Sequence, residues 1–145
     1  MYLILDIETN GLPLSINNSV YKINEWPNII QLSWQLHNKT GNLISKKNYI
    51  IYPKNFIINK ESYNIHKINN YKSYNYGYNI KYVLNILKKD FLKTKYIIGY
   101  NLKFDIKVLI SEFIRNKIKF KFLKKKYKYI YIDLFKILNK NNFNK

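Results

Sequence analysis

The chain has 145 residues, enough for one domain with its own core, and it lacks cysteine, which excludes a disulfide framework and a thiolate metal site. Its formal net charge is +18, with eight acidic residues and two histidines, His37 and His66, so a metal site here is built mainly from carboxylates and suits Mg²⁺ or Mn²⁺. There is no apolar run long enough to span a bilayer and no basic region leading an apolar signal core, so a cytoplasmic protein without a membrane partner is expected.

Such a charge ordinarily points to a polyanion. Here Lys, Asn, Ile, Tyr and Phe, all residues of A- and T-rich codons, crowd the chain, and Arg115 is its single arginine. Codon bias produces the same composition, so the positions of the few acids carry more weight than the net charge. Apolar residues still make up 47% of the chain, so the asparagine and lysine runs do not imply disorder.

The first element is "MYLILDIETNGLP", a buried strand over Tyr2 to Leu5 that Gly11 and Pro13 bring to a turn. Residues two apart on a strand share a face at about 6 to 7 Å, so Asp6 and Glu8 point the same way. Carboxylates leaving a buried strand repel one another and resist desolvation, so they need hydrogen-bond partners or a cation. A turn in which Asp and Thr cap the backbone is the simpler alternative. A polar loop over 14–27 closes at Trp26-Pro27, and "NIIQLSWQLHNKTGNLISKKNYIIYP" alternates as two strands joined by "NKTGN".

Residues 54–76 read as loop with one helical turn near "KESYNIHKI". Residues 79–92 place Val83, Leu84, Leu87 and Phe91 at helical spacing, and "YIIGY" is a short strand. "NLKFDIKVLISEFIRNK" puts Phe104, Val108, Leu109 and Phe113 on one helical stripe behind Asn101 as the N-cap. After the lysine-rich stretch 117–128, "YIYIDLFKIL" is a last strand entering a helical turn. Strands first, then helix and strand in alternation, predict an α/β domain with a mixed sheet flanked by helices. Asp105, in the first turn of a helix leaving a strand parallel to the first, is thereby expected beside Asp6 and Glu8, where α/β folds bind ligands. A carboxylate at a helix N-terminus is common on its own; three of eight acids at one sheet edge favour a metal site.

"DIETNGLP" and "GYNLKFDIKVL" resemble the first and second motifs of the DEDD 3′-to-5′ exonucleases, whose fold is ribonuclease H-like. The intervening "EWPNIIQLSWQLHNKTGNLI", "YIIYP" and "IHKI" resemble, in order and approximate spacing, the proofreading exonucleases related to the epsilon subunit of bacterial DNA polymerase III. The resemblance covers nearly the whole chain as a single exonuclease-like domain over 1–145. It implies DNA-end hydrolysis with two divalent ions, Mg²⁺ or Mn²⁺, held by Asp6, Glu8 and Asp105 as the catalytic carboxylates, with Asp6 bridging. It also implies a single-stranded DNA 3′ end as substrate and the polymerase III catalytic subunit as a partner in replication. Thr9 would face the terminal 3′ hydroxyl and Leu12 would wedge near the terminal base, although a turn hydroxyl and a core leucine fit the same positions. Asn101 and His66 complete the substrate-binding set, with Lys67 and Asn69 departing from the glycine and threonine usual after that histidine, which favours a packing role for His66.

The family's third motif supplies a histidine base and a fourth metal-binding aspartate, and neither follows Asp105; Asp133 resembles an earlier aspartate. Three explanations fit: a decayed or truncated exonuclease acting as a nucleic-acid-binding or polymerase-associated module, a late helix contributed by another chain, or a sequence lacking its natural C-terminal part.

Overall fold

The computed structural model describes residues 1–119 and 129–142. Three strands, β1 (Tyr2–Thr9), β2 (Ile29–His37) and β3 (Leu43–Ile50), form an antiparallel meander, and β4 (Tyr96–Gly99) and β5 (Ile130–Asp133) extend it in the order β3-β2-β1-β4-β5. β4 runs parallel to β1, and β5 parallel to β4, giving the mixed sheet that the alternation of elements predicted.

The hairpin turn closes through Asn38, whose side-chain oxygen accepts from the Thr40 and Asn42 backbone N–H groups at 3.0 and 2.9 Å. Gly41 takes the left-handed φ of +88° that the turn requires. Along β1, Leu3, Leu5 and Ile7 point into the core, whereas Tyr2, Ile4, Asp6 and Glu8 face the other side of the sheet.

A parallel β1–β4 pair needs a crossover, and three helices supply it: α1 (Lys60–His66), α2 (Asn70–Tyr76) and α3 (Ile80–Phe91). α3 and α4 (Leu102–Arg115) bury Val83, Leu84, Leu87, Phe91, Val108, Leu109 and Phe113 against the Leu3–Leu5–Ile7 face. Trp34 crosses this core and donates its indole N–H to buried Asp90 at 2.9 Å. A smaller cluster of Ile30, Ile58 and Ile68 packs beneath the 51–69 segment.

Three expectations from sequence need correction. Residues 54–76 hold two helices rather than one turn, because Asn59 and Asn69 each cap a start, accepting from the Ser62 and Lys72 N–H groups at 2.8 Å. The second of these, "NYKSYNY", has no apolar stripe to announce it. Asn101 does precede α4 but makes no side-chain cap: its left-handed backbone, φ 54° and ψ 40°, differs from the extended geometry of a capping residue. The last segment is a full helix, α5 (Leu134–Asn142), with Asp133 accepting from Phe135 N–H at 3.2 Å at its start. Most of the lysine-rich stretch 117–128 lies outside the described residues. No helix among the described residues is long and apolar enough to cross a membrane.

Candidate active site

β1 delivers Asp6 and Glu8 to the end of the sheet at which β4 passes into α4, and the first turn of α4 carries Asp105 to the same end. Gly99 makes the close approach feasible, since a Cβ there would meet Leu102 Cδ1 at 2.8 Å and the Leu5 carbonyl oxygen at 3.0 Å. Asp6 is exposed, Glu8 half-buried and Asp105 only 5% exposed.

Their electrostatics tie the three together. Burial, followed by the negative charge of Asp6, pushes the Asp105 carboxyl up to about 7; hydrogen bonds from its own and the Ile7 backbone N–H oppose this, and Glu8 adds to it. Glu8 is raised as well, by burial and then by Asp6. Of the other acids, Glu25 pairs with Lys22, Asp90 with Trp34 and Lys93, and Glu112 with Arg115, Asp133 caps α5, and Glu61 lies in the first turn of α1. Asp6, Glu8 and Asp105 have no ion pair among the described residues of a chain carrying +18. A dication relieves that kind of mutual repulsion. Oxygen-only donors in this number suit Mg²⁺ or Mn²⁺. As they stand, the three side chains do not converge into a ready metal cluster; none of three or more His, Asp or Glu occurs among the described residues.

The sign of the Asp105 shift gives a stability prediction. The folded state holds its proton more tightly than the unfolded chain, so metal-free protein loses stability as pH rises from about 4 through about 7. In EDTA, the melting temperature should therefore fall between about pH 5 and pH 8, and Asp105→Asn should flatten that slope. A wild-type slope unchanged by the substitution would contradict the coupling.

Beside the carboxylates lies a cleft of about 450 Å³ lined by Glu8, Thr9, Leu12, Glu61, His66 and Phe104. Thr9 donates its hydroxyl to the Gly11 carbonyl at 2.6 Å, so its oxygen keeps a lone pair for an incoming donor. Leu12 is 85% exposed at the rim, which removes the core reading for it. His66 is half-buried: its Nδ1 accepts from the Ile68 N–H at 3.0 Å, so in the neutral ring the proton sits on Nε2. Burial lowers its pKa and keeps it neutral, and Nε2 is buried without a protein partner in the described structure. His37 stands at the far end of β1, opposite Tyr2, bonded to Gly41 and Gln35. Asn101 is exposed at the N-terminus of α4 and does not line the cleft.

Sequence reasoning missed Phe104 and Glu61 as cleft residues. Phe104 shares the apolar stripe of α4 and reads as core, and Glu61 belongs to a segment read as a single helical turn within a loop; the Asn59 cap three residues before Ser62 was the available signal for its full extent.

No family model matches the chain, and no curated protein matches it. Solved structures do. E. coli exonuclease I in complex with a dT13 oligonucleotide superposes with a TM-score of 0.77 at 19% identity, over 97% of this chain and 29% of that one. The same enzyme with a dA16 oligonucleotide gives 0.78 at the same identity and coverage. A product-bound exonuclease I structure gives 0.75 at 19% identity, over 94% of this chain and 30% of that one. This chain spans under a third of those proteins, and what it shares with them is the fold: the ribonuclease H-like mixed sheet flanked by helices.

Proposed function

We propose that the chain is a 3′-to-5′ exonuclease domain acting on single-stranded DNA ends by phosphodiester hydrolysis assisted by Mg²⁺ or Mn²⁺. The observation that carries this reading is the set of three carboxylates at one sheet end, without a cationic partner among the described residues of a strongly basic chain. Asp6, Glu8 and Asp105 would hold the ions, and Asp105 gives up its proton as they bind. Bound divalent ions supply an activated water and neutralise charge on the leaving 3′ oxygen. The chain's own groups do the rest. Thr9 accepts from the terminal 3′ hydroxyl, Leu12 and Phe104 flank the terminal base, and His66 packs into the cleft wall.

A second reading has its own support. His66 cannot serve as a general base while its Nε2 carries the proton, and His37 lies at the opposite end of β1. Lacking a base costs hydrolysis about 10²- to 10⁴-fold. The domain is thus slow on its own, or serves as a DNA-binding module until a base is supplied from outside the described residues. The proofreading form of the reading, with a polymerase III-type catalytic subunit presenting the 3′ end, rests on the epsilon-like order of motifs in the sequence.

The test is a 5′-labelled single-stranded oligonucleotide incubated with Mg²⁺, Mn²⁺ or EDTA. Slow, metal-dependent shortening from the 3′ end is expected, arrested by a 3′ terminal inverted nucleotide. Binding without shortening supports the module, and internal cuts or digestion in EDTA would contradict the exonuclease.

A further inference from the structure

Large exposed side chains normally scatter over a protein surface, and a contiguous group of them marks an interaction site. Along the β3 flank the tyrosines gather. Tyr52, Tyr74, Tyr78 and Tyr82 are 43%, 48%, 49% and 55% exposed. Tyr52 and Tyr74 meet edge to face with ring centroids 5.4 Å apart, and Tyr78 and Tyr82 lie nearly parallel, 16° and 6.2 Å apart. Tyr49, half-buried on β3 against Trp34, sets its ring edge-on to both of the latter at 5.1 and 6.5 Å. Packing explains Tyr49; the other four turn about half their surface to solvent.

The rings stand on ordered backbone. Tyr78 N–H donates to the Ile50 carbonyl at 2.8 Å, and Tyr52 N–H donates to the Tyr78 carbonyl at 2.9 Å. Gly77 lets the end of α2 press on this bridge, since a Cβ there would lie 2.2 Å from the Ser73 carbonyl oxygen and 2.6 Å from the Tyr52 nitrogen. Codon bias can fill a chain with tyrosine, but it does not choose which rings the fold leaves exposed side by side.

Charge and position select the partner. Between Leu43 and Lys89 there are nine lysines, and Glu61 is the only acid. Lys47 is two residues from Tyr49 on the same strand face, Lys72 shares α2 with Tyr74, and Lys81 adjoins Tyr82 on α3. β3 is antiparallel to β2, as β1 is, so its Ile50 end lies at the end of the sheet that carries Glu8. α1, which lines the cleft, is separated from α2, which carries Tyr74, by Lys67–Asn69 alone.

We propose that Tyr52, Tyr74, Tyr78 and Tyr82 form a stacking track for single-stranded nucleic acid, holding the nucleotides that trail 5′ of the end seated in the cleft. The polarity of this track rests on the exonuclease reading; the track itself rests on the rings. Exposed ring faces stack on unpaired bases whatever their sequence, while lysines meet the phosphates. Duplex DNA keeps its bases stacked on one another and fits the track poorly.

Fluorescence anisotropy of the full chain with 5′-fluorescein oligothymidylates of four and twelve nucleotides, in EDTA so that nothing is cut, tests it. The twelve-mer should bind about 10-fold more tightly than the four-mer. Tyr78→Ala with Tyr82→Ala should remove that advantage and leave four-mer binding within about 2-fold, whereas the Tyr→Phe pair should keep it. An alanine pair that melts like wild type and still favours the twelve-mer would overturn the track. Photo-crosslinking of the unmutated chain to a twelve-mer with 5-iododeoxyuridine at internal positions gives a reading independent of folding. Crosslinks at Tyr78 or Tyr82 support the track, and crosslinks confined elsewhere overturn it. Wild type that binds neither length also overturns it and leaves the exonuclease reading to the hydrolysis assay. Length-dependent binding lost with the tyrosines but without hydrolysis keeps the track and removes the exonuclease.

Discussion

Asp6→Ala should lower metal-dependent hydrolysis of a single-stranded oligonucleotide by about 10³-fold, the scale on which removing a charge-stabilising group from an active site acts. The residue is exposed, makes no ion pair among the described residues, and raises the pKa of both Glu8 and Asp105 through its charge. Its loss would therefore remove a proposed ligand without removing a packing contact. The same substitution should raise the melting temperature of metal-free protein near pH 8, because Asp105 and Glu8 ionise more easily once their neighbour is neutral. Lower activity with higher stability is a pairing that a damaged fold does not give. Initial rates within about 3-fold of wild type would instead remove Asp6 from the reaction.

Arg115→Ala should be the most damaging change away from the cleft, costing about 3–5 kcal/mol in urea unfolding. Glu112 is 3% exposed on α4 and accepts from Arg115, from the Asn116 side chain at 2.9 Å and from the Ile29 N–H at 3.3 Å. Arg115 also donates to the Ile23 and Trp26 carbonyls, at 2.6 and 2.9 Å. One guanidinium thereby clamps the loop before β2 onto α4, and truncating it strands a buried carboxylate that burial already pushes toward its neutral form. Lysine does not replace it. An ammonium lacks the planar fork that reaches a carboxylate and two carbonyls together, which accounts for an arginine here in a chain that otherwise uses lysine. Arg115→Lys should retain only part of the stability, and a loss under about 1 kcal/mol for the alanine variant would reduce the clamp to an ordinary surface pair.

β2 and the long helices were legible because each buries one face, and alternation over 29–37 or helical spacing over 80–91 records that burial directly, whereas β3, which buries no residue fully, was legible through the hairpin turn that leads into it. Placing Asp6, Glu8 and Asp105 at one end followed from the same logic, since a strand–helix junction parallel to β1 fixes where its first turn must lie. α1 was legible only as one helical turn near "KESYNIHKI", and α2 was not legible. They are seven residues each, held by asparagine caps and local packing, and nothing periodic marks them. The tautomer of His66 was equally hidden, because it depends on a backbone N–H two residues ahead whose direction only the folded turn sets. Asn101 shows the converse: the cap position was readable, but its left-handed backbone was not.

Whether Asp6, Glu8 and Asp105 hold divalent ions beside a nucleotide cleft can be seen by anomalous diffraction from crystals of the full chain grown with Mn²⁺ and thymidine 5′-monophosphate. Mn²⁺ peaks should touch the carboxylates of Asp6, Glu8 and Asp105, with the nucleotide seated against Thr9, Leu12 and Phe104. Mn²⁺ bound only elsewhere, with these three carboxylates free of metal at saturating concentration, would contradict that site.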